Sequence, residues 1–300
     1  YKNFMKIFDC FMYFDEEVVL DVRLNTLDKY VDHFVIVESS FTHKGDKRNL
    51  KFNPKKFEKF KNKIIYLIYN NEPEGIEIIN EKDNHGTKSS KYILNAAKRE
   101  NGQRNYISKG LESAKEDDII LISDVDEIPN VSNINFKNIS EKIIMFRQYM
   151  FYYKFDLKIP DFLWVGTKAC KKKNLLNPQW LRNIKDRKYL LFRPDILFSK
   201  TKYSSIKFID EGGWHFSNIK SAEEIEYKLK SYLHHREFDE QPLSVQEINK
   251  VMENKLAIYD LKVDKKVNKI GNGAKLEKFE FEKLPKYIQE NKKKFERWLD

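Results

Sequence analysis

Only two cysteines occur in 300 residues, Cys10 and Cys170, and they lie far apart. That excludes a disulfide framework and any cysteine-based metal spacing, and it points to buried free thiols in a reducing compartment. Glycine-rich phosphate loops are also missing. No GxGxxG follows the first strand-like segment, and no GxxxxGKS or GxxxxGKT occurs. This argues against a dinucleotide oxidoreductase and a P-loop nucleotidase. No apolar run approaches the roughly 20 residues that span a bilayer. No secretory signal is visible. The expectation is therefore a cytoplasmic protein without a transmembrane segment. The chain opens at Tyr1, with Met5 as an alternative native start, so an anchor removed upstream stays open. No internal repeat or low-complexity linker breaks the chain.

What is present is a globular composition, 41% hydrophobic and 14% aromatic, with a formal charge of +10. The basic residues are spread among acids, and the densest runs, "KACKKKN" and "NKKKFERW", are short. Most of this charge reads as a solvated surface, and a groove attracting a diphosphate is the next reading. Nucleic acid is not expected as a partner, since no recognition motif appears.

Strand and helix signals alternate through the first half. Strand-like runs cover 6–13, 32–40, 63–70 and 118–124. Helical signals cover 15–27, acid-rich at its start, and 53–61, with Pro54 in its first turn. This pattern indicates βαβ units and a largely parallel sheet covered on both faces. A polar loop at about 70–87 precedes a long helix. There Ile93, Ala97, Glu100, Arg104, Ile107, Leu111 and Ala114 recur on one face. Glu100 and Arg104 then form either an i,i+4 ion pair or a device that carries Arg104 to a ligand. Further strands are expected within 141–156, 159–168, 189–198 and 204–217. Helices are expected from about 221, at 221–235, at 244–261 and from about 284. One domain is expected over 1–300, with an α/β core at about 5–217 and a helical region at about 218–300.

The stretch "DIILISDVDEIPN" (118–130) raises the chemical question. A strand delivers Asp124, Asp126 and Glu127 to one spot at its carboxyl end, where open parallel sheets bind ligands. Neighbouring carboxylates repel, and a divalent cation relieves that repulsion. Oxygen ligands suit Mg²⁺ or Mn²⁺, which complete their shells with water and phosphate oxygens. The plainer reading is turn and helix-cap chemistry. In "DEGGWHFS" (210–217), His215 is a candidate third metal ligand. Trp214 reads as a sugar-stacking ring or as core.

Several segments resemble glycosyltransferase family 17. They are "FDEEVVLDVRLNTLDKYVDHFVIVESSFTHKGDKRNLKF" (14–52), "ENGQRNYISKGL" (100–111), "DDIILISDVDEIP" (117–129), "GGWHFS" (212–217) and "LPKYIQENKKKF" (284–295). The resemblance implies a GT-A-type fold, a Rossmann-like, mostly parallel sheet flanked by helices. It also implies a UDP-sugar donor (UDP-GlcNAc foremost), a divalent cation and inverting transfer to a hydroxyl of a glycan acceptor. Carried over, Asp126 binds the metal and Asp124 meets the metal or the ribose. Glu38 lies where such folds often meet the nucleoside, and Arg104 matches the family's Glu–Arg helix pattern. Glu127 and Glu211 are the two expected general bases. The alternatives are a metal-dependent phosphohydrolase using the same acids on water, and a basic binding module.

Overall fold

The computed structural model describes residues 5–190, 194–232, 235–259 and 273–300. In chain order, β1 (Ile7–Tyr13), α1 (Glu17–Leu27), β2 (His33–Ser39), β3 (Ile64–Tyr69), α2 (His85–Tyr106) and β4 (Ile119–Asp124) come first. β5 (Glu127–Pro129), β6 (Ile143–Tyr152), β7 (Leu157–Lys171), α3 (Pro178–Asn183), α4 (Pro194–Leu197), β8 (Ile206–Ile209) and β9 (Gly213–Ser217) follow. The chain then forms α5 (Ala222–Ser231), α6 (His235–Glu240), α7 (Val245–Glu253), β10 (Glu277–Lys278), α8 (Lys286–Glu290) and α9 (Lys292–Phe295).

The strands form one mixed sheet in the order β3-β2-β1-β4-β7-β6-β9-β5, with β8 also on β6 and β10 on β7. The first four are parallel throughout. Their near-continuous Ile, Val and Phe content follows from burial on both faces. Phe11, Phe34, Ile36 and Leu121 pack on the α1 side, while Cys10, Val35, Ile120 and Ile122 pack on the other. Each fully buried side chain of this size contributes about 1.5–3 kcal/mol. The architecture is the GT-A-like one, with its all-parallel part ending at β4 and a mixed extension beginning at β7.

Four expectations are corrected. Residues 53–61 form turns and a short 3₁₀ segment, Glu58–Phe60, rather than an α-helix. The long helix ends at Tyr106 and continues as 3₁₀ over Ile107–Leu111. Its N-terminal half buries Asn95 and Ala96, while Ile93 is exposed. Asn95 turns inward because its amide exchanges hydrogen bonds with the Glu77 backbone. The expected strand at 189–198 is instead helical at Pro194–Leu197, and its residues 191–193 lie outside the described set, as do residues 233–234 and 260–261 of the expected helices. The C-terminal region is helical but also gives β10 to the sheet. There α5 and α7 each begin with a capping box, Ser221/Glu224 and Ser244/Glu247, which satisfies otherwise orphaned N–H groups. Among the described residues, no helix is long and apolar enough to cross a membrane.

Candidate active site

The acid-rich turn is built around one arginine. Arg23, fully buried on α1, directs its Nε and Nη2 at the two carboxylate oxygens of Asp9, at 2.8 and 2.6 Å. Nη2 also donates to Ser123 Oγ at 2.7 Å. Nη1 donates to the carbonyl oxygens of Asp124, Val125 and Glu127 at 3.1, 3.1 and 2.8 Å. A planar guanidinium with five fixed N–H donors can hold several acceptors only in one geometry. Arg23 therefore fixes the backbone that carries all three acids.

Asp124 and Glu127 are then clamped from the side. Asp124 receives Arg104 Nη2 on one oxygen at 2.9 Å and Arg182 Nη2 on the other at 3.1 Å. Burial works against its ionisation, but the Arg182 and Arg104 charges hold its carboxyl well below the ordinary value. Glu127 accepts from Trp164 Nε1 at 2.7 Å, from Arg182 Nη1 at 2.8 Å and from the Asp124 N–H at 2.9 Å. Gly166 makes the clamp possible. A Cβ there would lie 2.0 Å from Gln148 Oε1 and 2.9 Å from Glu127 Cδ, and its carbonyl accepts from Arg182 at 2.6 Å.

Asp126 is different. It is 7% exposed, and its nearest charged neighbours are His215 Nε2 at 3.5 Å and Lys228 Nζ at 3.7 Å. Burial pushes its carboxyl up, yet the His215 and Lys228 charges outweigh that and leave it below the ordinary value. Burial likewise opposes charge on His215, but Asp126 beside it raises the imidazole above the usual range. His215 faces this way because β9 alternates, sending His215 and Ser217 to the cavity and Trp214 and Phe216 to the core. Gly213 opens the strand with φ +125°, and a Cβ there would stand 2.1 Å from the Ile128 carbonyl. His215 Nδ1 is buried without a hydrogen-bond partner among the described residues.

These groups form the floor of a cavity of about 450 Å³ beyond the carboxyl ends of β1, β2 and β4. Asp124, Asp126, His215, Lys228 and Glu16 line it, with Met12, Met150, Tyr152 and Trp164 among the walls. Among the described residues, no group of three or more His, Cys, Asp or Glu side chains is arranged to hold a metal ion. A hard octahedral cation needs only one or two protein ligands when water and phosphate complete its shell. The weakly engaged Asp126 carboxylate and the adjacent imidazole fit that donor set. Asp124 carries a guanidinium on each oxygen, yet its side chain is 39% exposed and each oxygen keeps a second lone pair, so it stays open to the cavity.

The other sequence candidates fall into place around this. Arg104 does reach the site, but it touches Asp124, Glu100 (2.8 Å) and Gln179 (2.6 Å) rather than lining the cavity. Glu38 is fully buried and turned away from the cavity. It receives Arg48, the Lys51 and Phe52 N–H groups and the Tyr66 hydroxyl, and so ties down the 40–52 loop. Trp214 is core, its Nε1 bonded to the Lys283 carbonyl at 3.0 Å. Glu211 sits in an exposed turn at φ +49°, outside the cavity, next to the Tyr149 hydroxyl. Glu127 is wholly buried and saturated with donors. Neither glutamate lines the cavity.

Sequence reasoning missed Arg23, Trp164, Arg182 and Lys228. Arg23 had a readable signal: it lies four residues from both Val19 and Leu27, on the buried face of α1. The other three had none, since their partners are distant in sequence.

The model of glycosyltransferase family 17 matches residues 1–174, more than half of the chain. This chain belongs to glycosyltransferase family 17. Similar proteins include the β-1,4-mannosyl-glycoprotein 4-β-N-acetylglucosaminyltransferases of Homo sapiens and Rattus norvegicus. Each is 31% identical over 122 residues, which is 39% of this chain and 21% or 20% of theirs. The Mus musculus protein of the same name is 30% identical over the same length. The match thus spans about a fifth of those relatives. In this family 17 chain the acid turn lies inside the matched part, whereas Arg182, His215 and Lys228 lie beyond it.

Proposed function

We propose that the protein transfers a sugar, GlcNAc foremost, from a UDP-sugar to a hydroxyl of a glycan acceptor, with a divalent cation. One observation carries this reading. Asp126 is a buried carboxylate with no ion-pair partner inside 3.5 Å among the described residues, on the floor of a cavity at the strand ends of a family 17 chain. The choice of sugar and acceptor follows the names of the similar mammalian proteins.

On this reading Asp126 and His215 hold the cation. When bound, it neutralises charge on the departing diphosphate, as Mg²⁺ or Mn²⁺ does elsewhere. Arg23 holds the turn rigid, so Asp126 is oriented before donor arrives. Arg104 and Arg182 keep Asp124 ionised, leaving its repulsion of Asp126 as a further reason for the site to take a cation. Met12, Met150 and Tyr152 exclude water from the sugar, which favours transfer over hydrolysis. The proton of the acceptor hydroxyl goes to a carboxylate of the cavity wall. Besides the two aspartates, Glu16, Glu100 and Glu237 line it.

The test is mass spectrometry of oligosaccharide acceptors incubated with UDP-GlcNAc and Mn²⁺. One added sugar is expected, and its loss in Asp126→Ala. Acceptor-independent release of phosphate or UMP as the main reaction would instead favour the phosphohydrolase alternative.

A further inference from the structure

Lys228 lies on α5, outside the part of the chain that the family model covers. Its helix is anchored by the Ser221/Glu224 capping box and by Ile225 and Leu229, both buried. The side chain is 19% exposed and lines the cavity. Its Nζ stands 3.4 Å from Glu16 Oε1 and 3.7 Å from Asp126 Oδ2. Both lie beyond the 2.7–3.2 Å of a well-formed N–H···O bond. An ammonium carries three donors, and no acceptor among the described residues comes closer than these two acids.

Glu16 is itself committed. Its Oε2 accepts the N–H groups of Phe14 and Asp15, at 3.2 and 3.1 Å. The Lys228 ammonium thus stands on the cavity floor with both acids at more than ordinary hydrogen-bond length.

From this geometry we infer that Lys228 is a diphosphate-binding residue, a cation built into the protein that engages the donor's phosphates from the α5 side and does so without metal. The inference rests on the UDP-sugar reading and deepens it. Most of the Lys228 side chain is already buried, and phosphate oxygens offer its ammonium the short acceptors that Glu16 and Asp126 do not. The expected contribution is that of a charge-assisted hydrogen bond, about 10–100-fold in affinity.

The experiment is calorimetric titration of the full chain with UDP and with uridine, in EDTA and then with Mn²⁺. Wild type is expected to bind UDP measurably in EDTA. Lys228→Met keeps the stem and removes the charge. It should weaken metal-free UDP binding at least about tenfold, leave uridine binding unchanged and melt as wild type does. Lys228→Arg should restore most of the UDP affinity. Metal-free UDP binding by Lys228→Met within about twofold of wild type would overturn the inference. So would equal losses for UDP and uridine, which mark a structural role. UDP binding by wild type only with Mn²⁺ would overturn the inference and leave the donor reading standing. No UDP binding by wild type under either condition would remove both.

Discussion

At the acid turn, residues before 174 supply the acids and residues after it supply basic side chains that pair with them. The first region carries Asp124, Asp126 and Glu16, which line the cavity, and Glu127, which is wholly buried. The second carries Arg182, His215 and Lys228, which face them. Arg23 and Arg104 of the first region grip backbone carbonyls and Asp124 rather than lining the cavity, which Arg48 does. The comparison teaches that the acids are arranged locally, by one strand end and one helix, while their charge balance comes from long-range packing. It also separates the two aspartates. Asp124 is paired with two guanidinium groups at 2.9 and 3.1 Å, and Asp126 has His215 and Lys228 at 3.5 and 3.7 Å.

The comparison can be broken most severely at Asp126. Asp126→Ala should lower sugar transfer by at least about 10²–10³-fold, on the scale of losing a preorganised electrostatic group. Its melting temperature should stay near wild type, because no tight partner is orphaned. Wild-type turnover in an acceptor assay would break the division between the aspartates. Arg23→Met strikes the local half instead. It leaves Asp9 charged and buried without its partner, which costs about 3–5 kcal/mol, read as a lower urea midpoint. A loss under about 1 kcal/mol would show that the turn does not depend on that guanidinium.

Ligand binding sharpens the same comparison. UDP with Mn²⁺, each well above its dissociation constant, should raise stability by about 2.7 kcal/mol at a hundredfold excess. Either alone should do less. Additive shifts in a thermal melt would argue against a shared site. The smallest effects separate the two glutamates. Glu127→Gln weakens the Arg182 clamp and should cost about 1–3 kcal/mol. Glu211→Gln, in an exposed turn, should stay within about 0.5 kcal/mol and leave turnover near wild type. A selective loss of turnover in Glu211→Gln would return that residue to the chemistry.

Much of the fold was legible. The runs at 6–13, 32–40, 63–70 and 118–124 each became a strand of the parallel sheet, because a doubly covered strand must be apolar on both faces. Cys10 and Cys170 are free and buried, as their isolation in sequence indicated. The short β5 and β10 were not legible, since two or three residues carry no periodicity. His215 lies beside Asp126, and the alternation of its strand explains why Trp214 points the other way. Glu127 and Glu38 misled, because a carboxylate at a strand end looks the same whether it faces a ligand or a ring of protein donors.

The amino-acid sequence by itself determined the four strands of the parallel half, the family, and the presence of three acids at the end of β4. These are properties of short segments, set by side-chain alternation and by the chain's reach over a few residues. Tertiary structure alone decided which partners each acid has. That choice depends on guanidinium, indole and ammonium groups arriving from 20 to more than 100 positions away, as with Arg104, Arg23 and Lys228. Electrostatic pairing acts over a few ångströms of space and is indifferent to distance along the chain.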